Sequence, residues 1–229
     1  MGRTYEAIDE RLARFFDRQH VFFVGTAPSG SDGHVNVSPK GLDGTFAVLD
    51  HHTVAYLDLT GSGVETIAHL EDNGRIVVMF CAFEGPPRIV RLHGRGEVVP
   101  PGDPRFPDLA GRFPACAGIR SVIVISVERI ADSCGYGVPR MRFVAERDEL
   151  DRWAERQGAE GIARYQATRN AHSIDGLPGL PGLAAPAPEA APAPASGTVG
   201  RCDDPPSSPP PAPPDPVWRG TSARRGSTR

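Results

Sequence analysis

Between His20 and Val127 the apolar residues either alternate with polar ones or run together in short blocks, and both patterns predict β-strands. His20–Thr26 reads as a buried strand, and a Ser-, Gly- and Asp-rich turn at Pro28–Gly33 returns the chain through His34–Ser38, closed by Pro39-Lys40-Gly41. Thr45–Asp50 and Thr53–Leu59 flank a turn at His51-His52. Arg75–Phe83 is nearly unbroken in Val, Ile, Met and Phe, which suits the inside of a sheet. After Glu84-Gly85-Pro86-Pro87 the chain runs back as Arg88–Val99, with Arg88, Val90, Leu92 and Gly94 on one face and Ile89, Arg91, His93 and Arg95 on the other. Ile119–Val127 is the last strong strand and is expected to close a barrel. Strands so spaced, joined mainly by short turns, predict an antiparallel barrel rather than a parallel sheet.

A period near 3.6 appears outside this region. Thr4 is placed to cap a first helix in which Ile8, Leu12, Phe15 and Phe16 form one apolar stripe. Pro100–Pro114 reads as an irregular connection with one helical turn, Arg140–Val144 as a short extended piece, and Asp148–Gln157 and Glu160–Asn170 as charged helices. The fold class is therefore mainly β with peripheral helices.

Composition sets the limits of the domain. From Ala184 to Arg229 the chain carries 12 of its 24 prolines, with Ala, Ser and Gly filling much of the rest, so residues 184–229 read as a disordered tail and residues 1–183 as one folded domain. Pro205–Pro214 has the composition of a polyproline ligand, with Trp218 as a possible anchor; a tail without a partner is the plainer reading. The net charge of −3 divides into +1 for the tail and −4 for the domain, which gives no electrostatic case for nucleic acid. The four cysteines show neither a CxxC pair nor zinc spacing, and Cys81 sits in an apolar run where packing is its natural role. The seven histidines show no metal-binding arrangement, so no metal is expected. With neither a signal peptide nor a membrane-spanning run, the expectation is a cytoplasmic protein without a membrane partner.

The stretch Tyr56–Leu70 changes character midway. A strand ends at Leu59, Thr60-Gly61-Ser62-Gly63 breaks it, and Val64–Asp72 reads as a helix closed by Asn73-Gly74. A small-residue loop entering a helix presents unpaired N–H groups, hydroxyls and the positive end of the helix dipole to one point, which suits an anion such as phosphate. The competing reading is local, since Ser62 and Glu65 have the spacing of a capping box. Asp58 and Glu65 flank the loop and oppose an anion unless they point away. The loop lacks the lysine of a P-loop and the third glycine of a dinucleotide fingerprint.

The run Asn36-Val-Ser-Pro-Lys-Gly41, the strand, GSG loop and helix that follow, the segment FCAFEGPPRIVRLHGRGEVV and the later SCGYGVP together resemble the pyridoxamine 5′-phosphate oxidase-like family. The resemblance spans His20–Val144 and continues to NAHSIDGLPGL at Asn170–Leu180. It implies an FMN-binding split β-barrel and a homodimer with flavin at the subunit interface. It further implies an oxidoreductase that passes electrons through FMN to a small molecule or oxygen. A non-catalytic flavin, deazaflavin or haem carrier on the same barrel is the alternative.

Carried over by position, the resemblance places Ser38 and Lys40 at the end of the second strand, the lysine against the flavin phosphate or ring edge. Tyr56 falls before the residues lining the ring, and Ser62 opens the phosphate-binding helix; a flavin phosphate needs a cation and helix N–H groups, which Lys40 and the stretch Thr60 to Ser62 would supply together. Arg88 and Arg91 lie in the RxxRxxG strand beside the flavin. Two departures stand out: Gly63 and Val64 occupy the places of two basic residues that follow the serine in the oxidases, and Ile89 replaces a flavin-contacting glutamine. Arg140 is only a loose equivalent of a family arginine, and no catalytic residue is assigned.

Overall fold

The computed structural model describes residues 2–180; the tail and its polyproline run lie outside the described residues, as does the domain boundary expected at 183. Eight antiparallel strands form one sheet. β1 is Thr4–Tyr5, β2 Phe22–Thr26, β3 Asn36–Lys40, β4 Phe46–Val48, β5 Thr53–Leu59, β6 Arg75–Cys81, β7 Ile89–Val99 and β8 Ile119–Ser133. The strand order is β3-β2-β6-β7-β8-β5-β4, with β1 also on β8. The end strands β3 and β4 do not pair with each other, so the sheet curls into a split barrel. β8, expected to close the barrel, instead sits inside the sheet and joins β7 to β5.

Alternation along β2, β6 and β7 sends Phe22, Val24, Ile76, Val78, Phe80, Val90 and Leu92 into one core. Helix α1 (Glu10–Phe16) lays Leu12, Phe15 and Phe16 on that core, with the Phe16 ring 4.6 Å from that of Phe80. Its cap is Asp9, which accepts from the Leu12 N–H, rather than Thr4. Thr4 and Tyr5 pair with β8 instead, fixed by Asp132, which accepts from the Arg3 N–H and the Tyr5 hydroxyl. A strand pairing therefore overrode a favourable capping residue.

Helix α2 (Glu65–Asn73) buries Ile67 and Leu70 and ends on Gly74, whose φ of 70° is the left-handed cap conformation glycine favours. Helix α3 (Phe106–Ala110) is the one turn expected between β7 and β8. The two C-terminal helices form one segment, α4 (Glu149–Arg169), broken at Gly158, where φ is 61° and ψ 176°. Residues 140–144 pair with no strand. They are exposed and tied to the barrel by the Met141 N–H to the Phe83 carbonyl and the Phe143 N–H to the Glu84 carboxylate. No helix among the described residues is long and apolar enough to cross a membrane.

Candidate functional site

At the end of β5 the register slips by one residue. Asp58 lies opposite Ser121 and Leu59 opposite Ile119, so Arg120 is the extra residue of a β-bulge. The bulge turns Arg120 inward beside Ser121, and both are buried although they are consecutive. Arg120 Nε donates to Asp58 Oδ2 at 2.7 Å, while Lys40 Nζ, arriving from β3, donates to Asp58 Oδ1 at 3.0 Å. One fully buried carboxylate thus holds two cations from opposite sides. Burial alone would raise the Asp58 pKa, but Lys40 and Arg120 outweigh it and hold the carboxyl below its ordinary value.

The guanidinium has two further tasks. Its Nη1 donates to the Gly63 carbonyl at 2.8 Å and to Asn170 Oδ1 at 3.0 Å. Asn170, fully buried at the end of α4, donates in turn from Nδ2 to the Gly61 carbonyl at 3.0 Å. In front of this assembly lies a cavity of about 330 Å³ lined by Ser38, Lys40, Ser62, Glu65, Thr66 and Arg120, together with the loop backbone.

The loop has donors to spare. Among the described residues, the N–H groups of Gly61, Ser62 and Gly63 donate no backbone hydrogen bond, and the Ser62 hydroxyl has no partner. The capping box does not form: α2 is capped at Val64 with no side-chain hydrogen bond. Glu65 instead folds its carboxylate over Gly63, where a Cβ would meet it at 2.2 Å. Glycine at 63 therefore leaves room for this carboxylate, and Glu65 opposes any anion entering the cavity.

Of the residues named from the sequence, the fold brings Ser38, Lys40 and Ser62 together at the cavity. The other four do not line it, although the Tyr56 ring lies 5.8 Å from Lys40 Nζ. Tyr56 is fully buried in the aromatic core, 5.6 Å from the Phe22 ring, with its hydroxyl unpartnered, because β5 turns this position inward. Burial and the nearby Asp58 raise its pKa well above the ordinary value. Thr60 faces away from the cavity: its N–H and hydroxyl both donate to the Gly118 carbonyl, and its oxygen accepts from Gln166. Arg88 donates to the Tyr5 hydroxyl and to Asp132, and Arg91 to the Ser133 hydroxyl, so both serve the β1–β7–β8 junction. Thr66 and Arg120 also line the cavity and Asn170 bonds to its loop, and the sequence patterns singled out none of the three. Nothing local marks Arg120, since a bulge breaks the alternation that periodicity relies on.

Three exposed groups, His20, Asp43 and Glu146, place ligand atoms within 4.8 Å of one another. His20 already bonds Asp43 at 2.9 Å and stacks on Phe143, which accounts for its position without an ion. The buried Cys81 thiol is pushed up by burial, consistent with packing rather than nucleophilic use.

The family model for pyridoxamine 5′-phosphate oxidase matches residues 8–134. The pyridoxamine 5′-phosphate oxidase family protein ustO of Aspergillus flavus is 42% identical over 190 residues, 76% of each chain. Among solved structures, HupZ of Group A Streptococcus is 26% identical, with a TM-score of 0.42 over 54% of this chain and 91% of that one. An FMN-binding protein from Syntrophomonas wolfei is 14% identical, with a TM-score of 0.40 over 53% of this chain and 82% of that one.

Proposed function

The chain belongs to the pyridoxamine 5′-phosphate oxidase family, and we propose that it is a flavin-dependent oxidoreductase that holds FMN by its phosphate end in the cavity between β3 and the Gly61–Gly63 loop. The observation that carries this reading is the convergence of Ser38, Lys40, Ser62 and Arg120 on one cavity beside free loop N–H groups. The donor chemistry fits a phosphate: three hydroxyls, a lysine, and backbone amides at the start of a nine-residue helix. Bound flavin supplies the electron-transfer chemistry, and the protein's share is to hold and orient it.

The charges divide the labour. Asp58 fixes both Lys40 and Arg120 at the wall of the cavity, so neither cation is free to collapse onto other acids. Asp58 compensates one of these charges and Glu65 the other, so the formal charge of the cavity is close to zero. Directed hydrogen bonds, rather than bulk positive potential, then carry the phosphate.

We further propose a homodimer. The outer face of β2, β3, β6 and β7 presents a hollow of about 490 Å³ that is apolar at one end, with Ala27, Val35, Val37 and Val77, and polar at the other, with Arg75, His93, Arg95 and Glu128; Val35 and Val37 are 74% and 64% exposed. Apolar side chains grouped this way on an outer sheet face suit a second copy. The three described cysteines are free, which supports a reducing cytoplasmic setting.

The test is the visible spectrum of freshly purified protein, with the chromophore released and weighed by mass spectrometry. FMN that NADH or NADPH reduces anaerobically supports the oxidoreductase. FMN inert to both supports a carrier, and failure to bind added FMN removes the flavin reading.

A further inference from the structure

We propose that the cleft between the α1–β2 connection, the β6–β7 turn and residues 141–143 is a second ligand site, suited to a compact molecule that joins one ring to one anionic head. None of its residues lines the phosphate cavity, so the inference stands apart from the flavin reading.

The cleft encloses about 250 Å³. Sites for drug-sized ligands run from roughly 300 to 1,000 Å³, so this one is limited to a ring and its substituents. Its walls are Val21, Phe83, Met141 and Phe143, and two exposed cations, Arg18 and Arg142, border it. Walls of this kind hold the body of a ligand by burial, and the few polar groups fix its head.

Three separate parts of the chain meet here. After α1, Gln19 donates its N–H to the Phe16 carbonyl and Nε2 to the Phe15 carbonyl, which turns the chain toward Val21. Phe83 and Glu84 follow the end of β6. Residues 141–143 are bonded to both: the Met141 N–H donates to the Phe83 carbonyl at 3.1 Å and the Phe143 N–H to Glu84 Oε1 at 2.9 Å. The Phe143 ring lies flat on that of His20, with centroids 3.6 Å apart and planes 11° from parallel. Backbone and ring are thus fixed, yet Phe143 remains 39% exposed and Met141 56% exposed. A fixed apolar wall open to water gains free energy when a ring covers it.

Charge decides which ring. Among the described residues, neither the Arg18 nor the Arg142 guanidinium makes a hydrogen bond or an ion pair. The acid of the cleft, Glu84, is turned to the Phe143 N–H, and His20 commits Nδ1 to Asp43. Two guanidiniums against one engaged carboxylate leave a positive balance. Each guanidinium offers parallel N–H donors that match a carboxylate or a phosphate. The cleft therefore selects a ring with an anionic head over a neutral ring of the same shape, and over an anion without a ring.

The experiment titrates the full chain with benzoate, phenyl phosphate, benzamide and acetate, reading affinity by calorimetry and the amide resonances of Val21, Glu84 and Met141 by NMR. Benzoate and phenyl phosphate carry both ring and charge, benzamide the ring alone and acetate the charge alone. The expected result is that one of the first two binds with a Kd below about 10 mM, moves those amides and exceeds benzamide and acetate by at least about tenfold. The tighter of the two identifies the head as carboxylate or phosphate. Arg18→Gln, Arg142→Gln and Phe143→Ala should each weaken that probe at least about fivefold, whereas Arg140→Gln, which removes the same charge from the same segment outside the cleft, should not. All four positions are exposed, so the variants keep the core intact. Benzamide binding as tightly as the anions, an equal loss in Arg140→Gln, or unmoved amides at that concentration overturns the proposal. Movement confined to the Gly61–Gly63 amides assigns the probes to the phosphate cavity and overturns it too.

Discussion

Arg120 reaches the buried carboxylate of Asp58 at 2.7 Å only because the strand bearing it carries one residue too many. Without the bulge, Arg120 and Ser121 would face opposite sides of β8, and Asp58 would have to share its burial with Lys40 alone. This pair connects the barrel to the loop, since the same guanidinium holds Gly63 and Asn170.

Removing Asp58 should therefore destabilise the fold. Asp58→Ala leaves a buried guanidinium and a half-buried lysine without their counter-charge, a change that costs roughly 3 to 5 kcal/mol. Urea denaturation of the two chains measures it; a loss under about 1 kcal/mol would mean that solvent or other groups replace the carboxylate.

The same pair predicts a pH dependence. The folded protein holds the Asp58 pKa below its ordinary value of 3.8, so its contribution is fully present above that value and is lost as pH falls through the lower, folded value. Melting temperature should fall more steeply on acidification in the parent than in Asp58→Asn, with the two converging at the acid end. Parallel curves would show that Asp58 does not titrate with folding.

Lys40→Ala should keep the fold and weaken FMN binding by about tenfold to a hundredfold, if a charged hydrogen bond contributes roughly 1.5 to 3 kcal/mol. Fluorescence quenching of added FMN reads this directly, and unchanged affinity would remove Lys40 from the site.

Glu65→Gln should act in the other direction. It removes the carboxylate folded over Gly63 and leaves a group of similar shape, so FMN should bind more tightly and riboflavin should not. Equal or weaker FMN binding would mean that Glu65 moves clear of the ligand.

Val37→Glu should convert a dimer to monomers by placing a charge at the apolar end of the hollow on the outer sheet face. Sedimentation equilibrium distinguishes the outcomes, and an unchanged mass would put the interface elsewhere.

The sequence by itself determined the elements whose cause is local. Alternation located β5 at Thr53–Leu59 to the residue and assigned the two faces of β7 correctly, because a strand with one face in a core must repeat every second residue. The GSG break and the Asn73-Gly74 stop bounded α2 for a similarly local reason, the left-handed conformation at Gly74. Lys40, Ser38 and Ser62 were named from the family resemblance rather than from any local period, and the fold gathers the three at one cavity. Tertiary structure alone decided which way Tyr56 and Thr60 turned, that Thr4 joined a strand rather than capping a helix, and that β8 lay inside the sheet. It also decided that Arg120 and Asn170, 50 residues apart, meet at one loop. A bulge and a long-range hydrogen bond leave no period in a sequence; they exist only once the strands have chosen their register.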